Sequence, residues 1–144
     1  MAVTVKWFGL AFENAFKKLI DFEGDTINIS LHTSAWSPDQ DADNDWADVD
    51  NEVVGTAYVH EGETLANCAL TYTGGTNILK LDADNVSWAA STITARYAIG
   101  YVREAADADS VLLFYIDFGE NVSSFAGTFQ ITWDADGMAK VTVS

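Results

Sequence analysis

Between Ser37 and Glu52 the chain reads SPDQDADNDWADVDNE, with Asp39, Asp41, Asp43 and Asp45 at alternate positions. Carboxylates at that spacing are the ligands with which a loop encloses a hard cation such as calcium, whose shell is built of oxygen atoms. Two positions depart from the pattern. Asn44 stands where a calcium loop needs glycine for its sharp turn, and the closing position holds Asp50, shorter than the usual bidentate Glu. The run is therefore expected to be a solvated connection with a helical turn anchored by Trp46. The four aspartates are a weak calcium candidate, and no cofactor is expected.

Other residues able to do chemistry are scattered. His32 and His60 fall in different elements, and neither is accompanied by a nucleophile motif. Cys68 is the only cysteine, which excludes an internal disulfide and a two-cysteine zinc motif, and its setting in ANCALTY suits a buried thiol. The pairs Asp82/Asp84 and Asp134/Asp136 have the composition of a glycosidase acid pair, but both sit in turn-like stretches, where Asp bonds the backbone. YTGGTN has adjacent glycines without the strand-to-helix context of a phosphate loop and reads as a turn. The expectation is a protein that is not an enzyme, with no catalytic residues.

Trp7, Trp36, Trp46, Trp88 and Trp133 are the large aromatic surfaces available. Trp133 follows inward alternation and Trp88 ends a short strand, so both are expected in the core. Trp36 and Trp46 bracket the acidic run and are candidates for surface contact, either at a protein interface or as a platform on which sugar rings stack.

The chain that must position these groups has 144 residues, enough for one domain with a sizeable core. Seven basic residues stand against twenty-two acidic ones, a formal net charge of -15. Such a surface repels phosphate backbones and anionic membranes, so neither nucleic acid nor membrane is an expected partner; mimicry of DNA by the carboxylates is the rarer outcome. The opening MAVTVKWFGLAFENAF lacks a basic stretch followed by a long apolar one, so synthesis in the cytoplasm without export is expected.

Hydrophobic periodicity divides the chain at about residue 24. In WFGLAFENAFKKLIDF, Phe8, Ala11, Phe12, Ala15, Leu19 and Ile20 fall on one side of a helix, with Glu13, Asn14, Lys17 and Lys18 on the other, and Gly24 marks the stop. After Thr26 the period becomes two: Ile27, Ile29 and Leu31 alternate with Asn28, Ser30 and His32, and a similar alternation runs from Ile93 to Tyr101. VLLFYIDFG suits a strand buried on both faces, and shorter candidates lie at 56–59, 69–73, 78–82 and 86–88. Asp136-Gly137 is expected to turn the strand through Trp133 back on itself as a hairpin. The reading is a single mainly β domain over residues 1–144, a β-sandwich or jelly-roll-like fold. Residues 1–24 supply an N-terminal arm and amphipathic helix, and 25–144 the β core.

Across DTINISLHTSAWSPDQDADNDWADVDNEVVGTAY, DADNVSWAASTITARYAIGYV and FQITWDADGMAKVTV the chain resembles small structural proteins encoded in tailed-bacteriophage virion gene clusters. The resemblance implies a capsid decoration (cement) protein or a minor head or tail component, made in the host cytoplasm and located in the virion. Its partners would be the major capsid protein or other virion proteins, and it would act as a homo-oligomer that binds and stabilises the assembled shell. No catalytic residue is carried over. On this reading the N-terminal stretch, with Val3, Val5, Trp7 and Phe8, is the expected contact arm, and Trp36 and Trp46 are the next interface candidates. The alternative is a carbohydrate-binding β-sandwich module or a tail component for host attachment.

Overall fold

The computed structural model describes Val3 and residues 5–144. Its architecture is mainly β, as the period-two runs require, with eight strands in two antiparallel sheets and one α-helix among the described residues. The strands are β1 (Val5–Trp7), β2 (Ile27–His32), β3 (Glu63–Thr64), β4 (Ala69–Thr73), β5 (Ile78–Asp82), β6 (Val86–Val102), β7 (Leu112–Ile131) and β8 (Ala139–Thr142); the helix is α1 (Gly9–Phe16). The larger sheet runs β1-β7-β6-β2-β3 and the smaller β4-β5-β8. Between them lies a core that includes Ile29, Leu31, Trp88, Phe114, Ile131 and Trp133.

The larger sheet is covered on its second face as well. There Phe8, Ala11, Trp46, Ile99, Tyr101, Leu112 and Tyr115 form a second core beneath α1 and the acidic loop. Every residue of β2 is consequently buried, including Asn28, Ser30 and His32, which its alternation alone would place in solvent. The polar side chains are tolerated because each finds a partner: Asn28 Nδ2 donates to Glu61 O (3.2 Å), and Ser30 Oγ and His32 Nε2 lie 2.9 Å apart.

Two pairs of expected strands are fused. The run from Val86 continues without interruption to Val102, and VLLFYIDFG joins GTFQI, so β6 and β7 form one long hairpin pairing Tyr101 with Leu112 and Val86 with Ile131. Bulges interrupt its register, one between Ser91 and Ile93 opposite Ser124 to Gly127 and another between Trp88 and Ser91. Each bulge adds a residue to one strand and shifts the phase of its alternation, so a period-two reading breaks a continuous strand into pieces. The stretch 56–59 is not a strand. Thr56 makes a single bridge to Thr92, and Ala57 follows with φ of 60°.

The Asp136-Gly137 turn forms, with Gly137 at φ of 106°, but it closes no hairpin. It delivers β8 to β5 of the smaller sheet, pairing Leu81 with Ala139, instead of returning it along β7. A second positive-φ glycine is required for closeness: a Cβ on Gly62 (φ +80°) would lie 1.9 Å from Ile29 O.

The helix differs most from its expected form. It stops at Phe16, where Lys18 takes φ of 64° and the Lys18 and Leu19 N–H groups bond back to Ala15 O and Asn14 O. The predicted apolar stripe is buried only in part: Phe8 and Ala11 are inside, joined by Asn14 from the expected polar side, while Phe12, Ala15 and Leu19 of the stripe, and Phe16 beside it, are exposed. Asn14 is drawn inward because its Nδ2 donates to Asn44 Oδ1 (2.9 Å) of the acidic loop, which compensates its burial. Replacing Trp46 with Ala, which empties the second core, is expected to cost about 3–5 kcal/mol in urea unfolding, whereas Phe16→Ala should stay within about 0.5 kcal/mol.

Candidate functional site

The acidic run folds as a chain of side-chain-to-backbone turns. Asp39 Oδ1 accepts from the N–H groups of Asp41 and Ala42 (both 3.1 Å), while Asp39 N donates to Asp43 Oδ2 (2.8 Å). Asp45 caps a 3-10 turn, Trp46–Asp48, by accepting from Ala47 N (3.1 Å), and Asp48 Oδ2 accepts from Asn44 N and Asp45 N. This is the chemistry for which Asp is favoured in turns and caps. Asp39, Asp43 and Asp45 thus aim oxygens at their own backbone, and among the described residues no group of three or more His, Cys, Asp or Glu side chains converges as a metal cage. Partial burial, followed by the charges of Asp39 and Asp48, raises the Asp43 carboxyl above its ordinary range against the lowering effect of its bond from Asp39.

These turns deliver Trp46 inward. It is 6% exposed, stacks on Tyr101 with centroids 4.4 Å apart and 18° between planes, and meets the His32 ring edge-on. The expectation that Trp46 offers a surface contact is therefore corrected: the ring fills the second core. Trp36 is half-buried against His32 and Tyr97. The two tryptophans make no shared sugar platform, because one of them is inside.

His32 is the pin of this arrangement. Its Nδ1 lies 2.9 Å from Asp50 O, an acceptor only, so Nδ1 carries the proton and Nε2 accepts from the Ser30 hydroxyl. Burial lowers its pKa from 6.5 to about 4, overcoming the raising effect of Asp50. His60 is its opposite, an exposed ring whose Nδ1 bonds Glu52 Oε2. The other oxygen of Glu52 accepts from Tyr58 O–H (2.7 Å) and Glu61 N–H (2.6 Å), and Glu61 pairs with Arg103 (2.7 Å). Burial first, then the Glu52 charge, holds the Tyr58 hydroxyl protonated far above its ordinary range. This network ties the 52–61 loop to β2, where Tyr58 Oη also accepts from Leu31 N (2.9 Å). Burial likewise raises the Cys68 thiol, away from the reactive thiolate.

The N-terminal interface candidates are placed differently from one another. Phe8 is fully buried in the second core, a correction to its role in an exposed arm. Val5, Lys6 and Trp7 are paired with Ile116, Tyr115 and Phe114, so these residues are an edge strand, and Val3, Val5 and Trp7 pack partly buried against the main core. Met1, Ala2 and Thr4 of the expected arm lie outside the described residues. Trp7 also marks the beginning of an apolar cleft of about 350 Å³ between α1 and the smaller sheet. Phe12, Phe16 and Ile20 line one side, and Leu70, Leu79 and Val141 the other. The helix residues carry a visible apolar run, but the sheet side comes from β4, β5 and β8, which only the folded topology brings together.

Comparison of the chain with protein-family models, curated proteins and solved structures returned no match. The functional reading therefore rests on the geometry and on the resemblance described above.

Two outcomes are expected. The His32 pKa is depressed in the folded state, so between about pH 6.5 and pH 4 the unfolded chain binds the extra proton and stability falls as pH falls through that window. The loss attributable to His32 should approach about 3 kcal/mol in urea unfolding between pH 7 and pH 4, and His32→Asn should remove that component. Millimolar calcium should leave the melting temperature nearly unchanged, whereas Asp48→Ala, which removes the reciprocal cap, should cost about 1–2 kcal/mol.

Proposed function

We propose that the protein is a bacteriophage virion structural component, a capsid decoration or minor head protein, which docks on the assembled shell and stabilises it. A ligand that binds only the assembled state shifts assembly by mass action, which requires a rigid module with one strong contact surface. The observation that carries this reading is the apolar cleft: Phe16 at its lip is 90% exposed, and Phe12 and Leu70 are each 40% exposed. Apolar side chains gathered beside a concave groove are the surface from which a protein partner excludes water.

Several features fit such a role. The second core and the short edge strand β1 bind the N-terminal segment into the domain, so the contact is presented on a fixed scaffold. An occupant held by apolar burial also tolerates salt, since screening acts on exposed charges. The contact once expected from a free N-terminal arm moves on this proposal to the cleft, with Trp7 retained as part of its lining.

The test is co-sedimentation with shells lacking this protein. Phe16→Asp and Leu70→Asp should each weaken binding at least about tenfold, with little effect of high salt on the wild type. Full binding by the double variant, with its melting temperature preserved, contradicts docking through the cleft.

A further inference from the structure

The two stretches 85–95 (NVSWAASTITA) and 121–133 (NVSSFAGTFQITW) contain no charged residue, in a chain of which 20% is charged. They are far apart in sequence, yet the structure pairs them: Val86 with Ile131, Trp88 with Phe129, Ser91 with Gly127, and Ala95 with Val122. The result is a neutral ribbon on a molecule of net charge -15. Its exposed side chains include Ser87, Thr92, Thr94, Ser123 and Thr128, and hydroxyl pairs knit the strands together (Thr94 Oγ1 to Ser123 Oγ, 2.7 Å).

From this ribbon Phe125 projects 89% exposed. Backbone geometry fixes it there. Phe125 lies in the bulge opposite Thr92, and the next residue, Ala126, takes φ of 47°, which a residue with a Cβ rarely adopts. The Ala126 N–H donates to Thr92 Oγ1 (3.0 Å), closing the bulge. Strained backbone that holds a phenyl ring in solvent is the kind of local feature found where a surface has a use.

We propose that this ribbon is a self-association face, on which a second copy of the chain docks about a two-fold axis near Phe125. The charge distribution selects that occupant. A basic partner is drawn to the carboxylates elsewhere, whereas another copy of an acidic molecule is repelled by them and approaches best where none stand. A two-fold contact sets a surface against its own image, which an uncharged face tolerates and a face of one sign does not. Ring-on-ring contact of Phe125 with its symmetry mate supplies the apolar centre. The bulges also bend the strand, so the contact is made by side chains and not by extension of the sheet. This face is distinct from the cleft, and its test is independent of shell docking.

The experiment is sedimentation equilibrium of wild type and Phe125→Ser over a range of protein concentrations, at low and high salt. The wild type should dimerise, more tightly at high salt because screening relieves repulsion between the two acidic bodies. Phe125→Ser should raise the dissociation constant roughly tenfold or more without changing the melting temperature measured at a concentration where the wild type is monomeric. In a Cys68→Ala background, Phe125→Cys should oxidise to a covalent dimer, while Cys at the equally exposed Val54 should not. A chain that remains monomeric at high salt, or a dimer indifferent to Phe125→Ser, overturns the proposal. So does a dimer that Phe16→Asp dissociates and Phe125→Ser does not, which would place the second copy in the cleft.

Discussion

The flat contact of Trp46 on Tyr101 is the interaction on which the rest of this fold depends. A sheet whose central strands carry large side chains on both faces needs a cover on each, and the smaller sheet supplies only one. The other is built from a loop whose composition looks wholly unsuited to a core. Its aspartates solve the difficulty by bonding their own backbone, which leaves Trp46 free to turn inward over Tyr101 and His32. Helix α1 is then positioned by that loop, through Asn14 to Asn44 and Gly9 N–H to Gln40 O.

This order of dependence accounts for the exposed apolar residues of the helix. Were α1 placed by the whole of its apolar stripe, Phe12 and Ala15 would be inside with Ala11 and no cleft would remain. The bonds of Asn14 and Gly9 rotate the helix toward the acidic loop, and the stripe is left over the smaller sheet with space between them. The same loop that closes one face of the molecule thereby opens an apolar groove at its edge. In the proposed virion role, stability and docking come from one arrangement of residues.

The class of fold was legible because period-two alternation in sequence is a local property, and β2, β4 and β5 form where strands were expected from the sequence. The inward place of Trp133 was legible for the same reason, and that of Trp88 from its position at the end of a short strand. What local pattern does not encode is pairing between distant segments. Nothing in residues 134–144 distinguishes a return along β7 from pairing with β5, and the bulges near Ala90 and Ala126 disguise two long strands as several short ones. The burial of Trp46 was hidden because charged neighbours mark a loop as solvated even when their carboxylates turn to the backbone. The helix face was legible at Phe8 and Ala11 but not beyond, because one buried amide bond outweighed the rest of the apolar stripe. Of the interface candidates, Trp7 reaches the cleft, while its sheet side, with Leu70 and Val141, carried no signal of its own.

Native-state hydrogen exchange tests the central claim, that the acidic loop is a structural cover and not a loose connection. The decisive amides are Trp46, bonded to Ser110 O, and Leu112, bonded to Asn44 O, both at 2.9 Å, compared with the amides that β2 shares with β6. If the loop closes the second core, Trp46 and Leu112 should open with a free energy close to that of β2, as one cooperative unit. Rapid exchange at Trp46 and Leu112 beside full protection of β2 would show that the sheet stands without its cover, and would contradict the account.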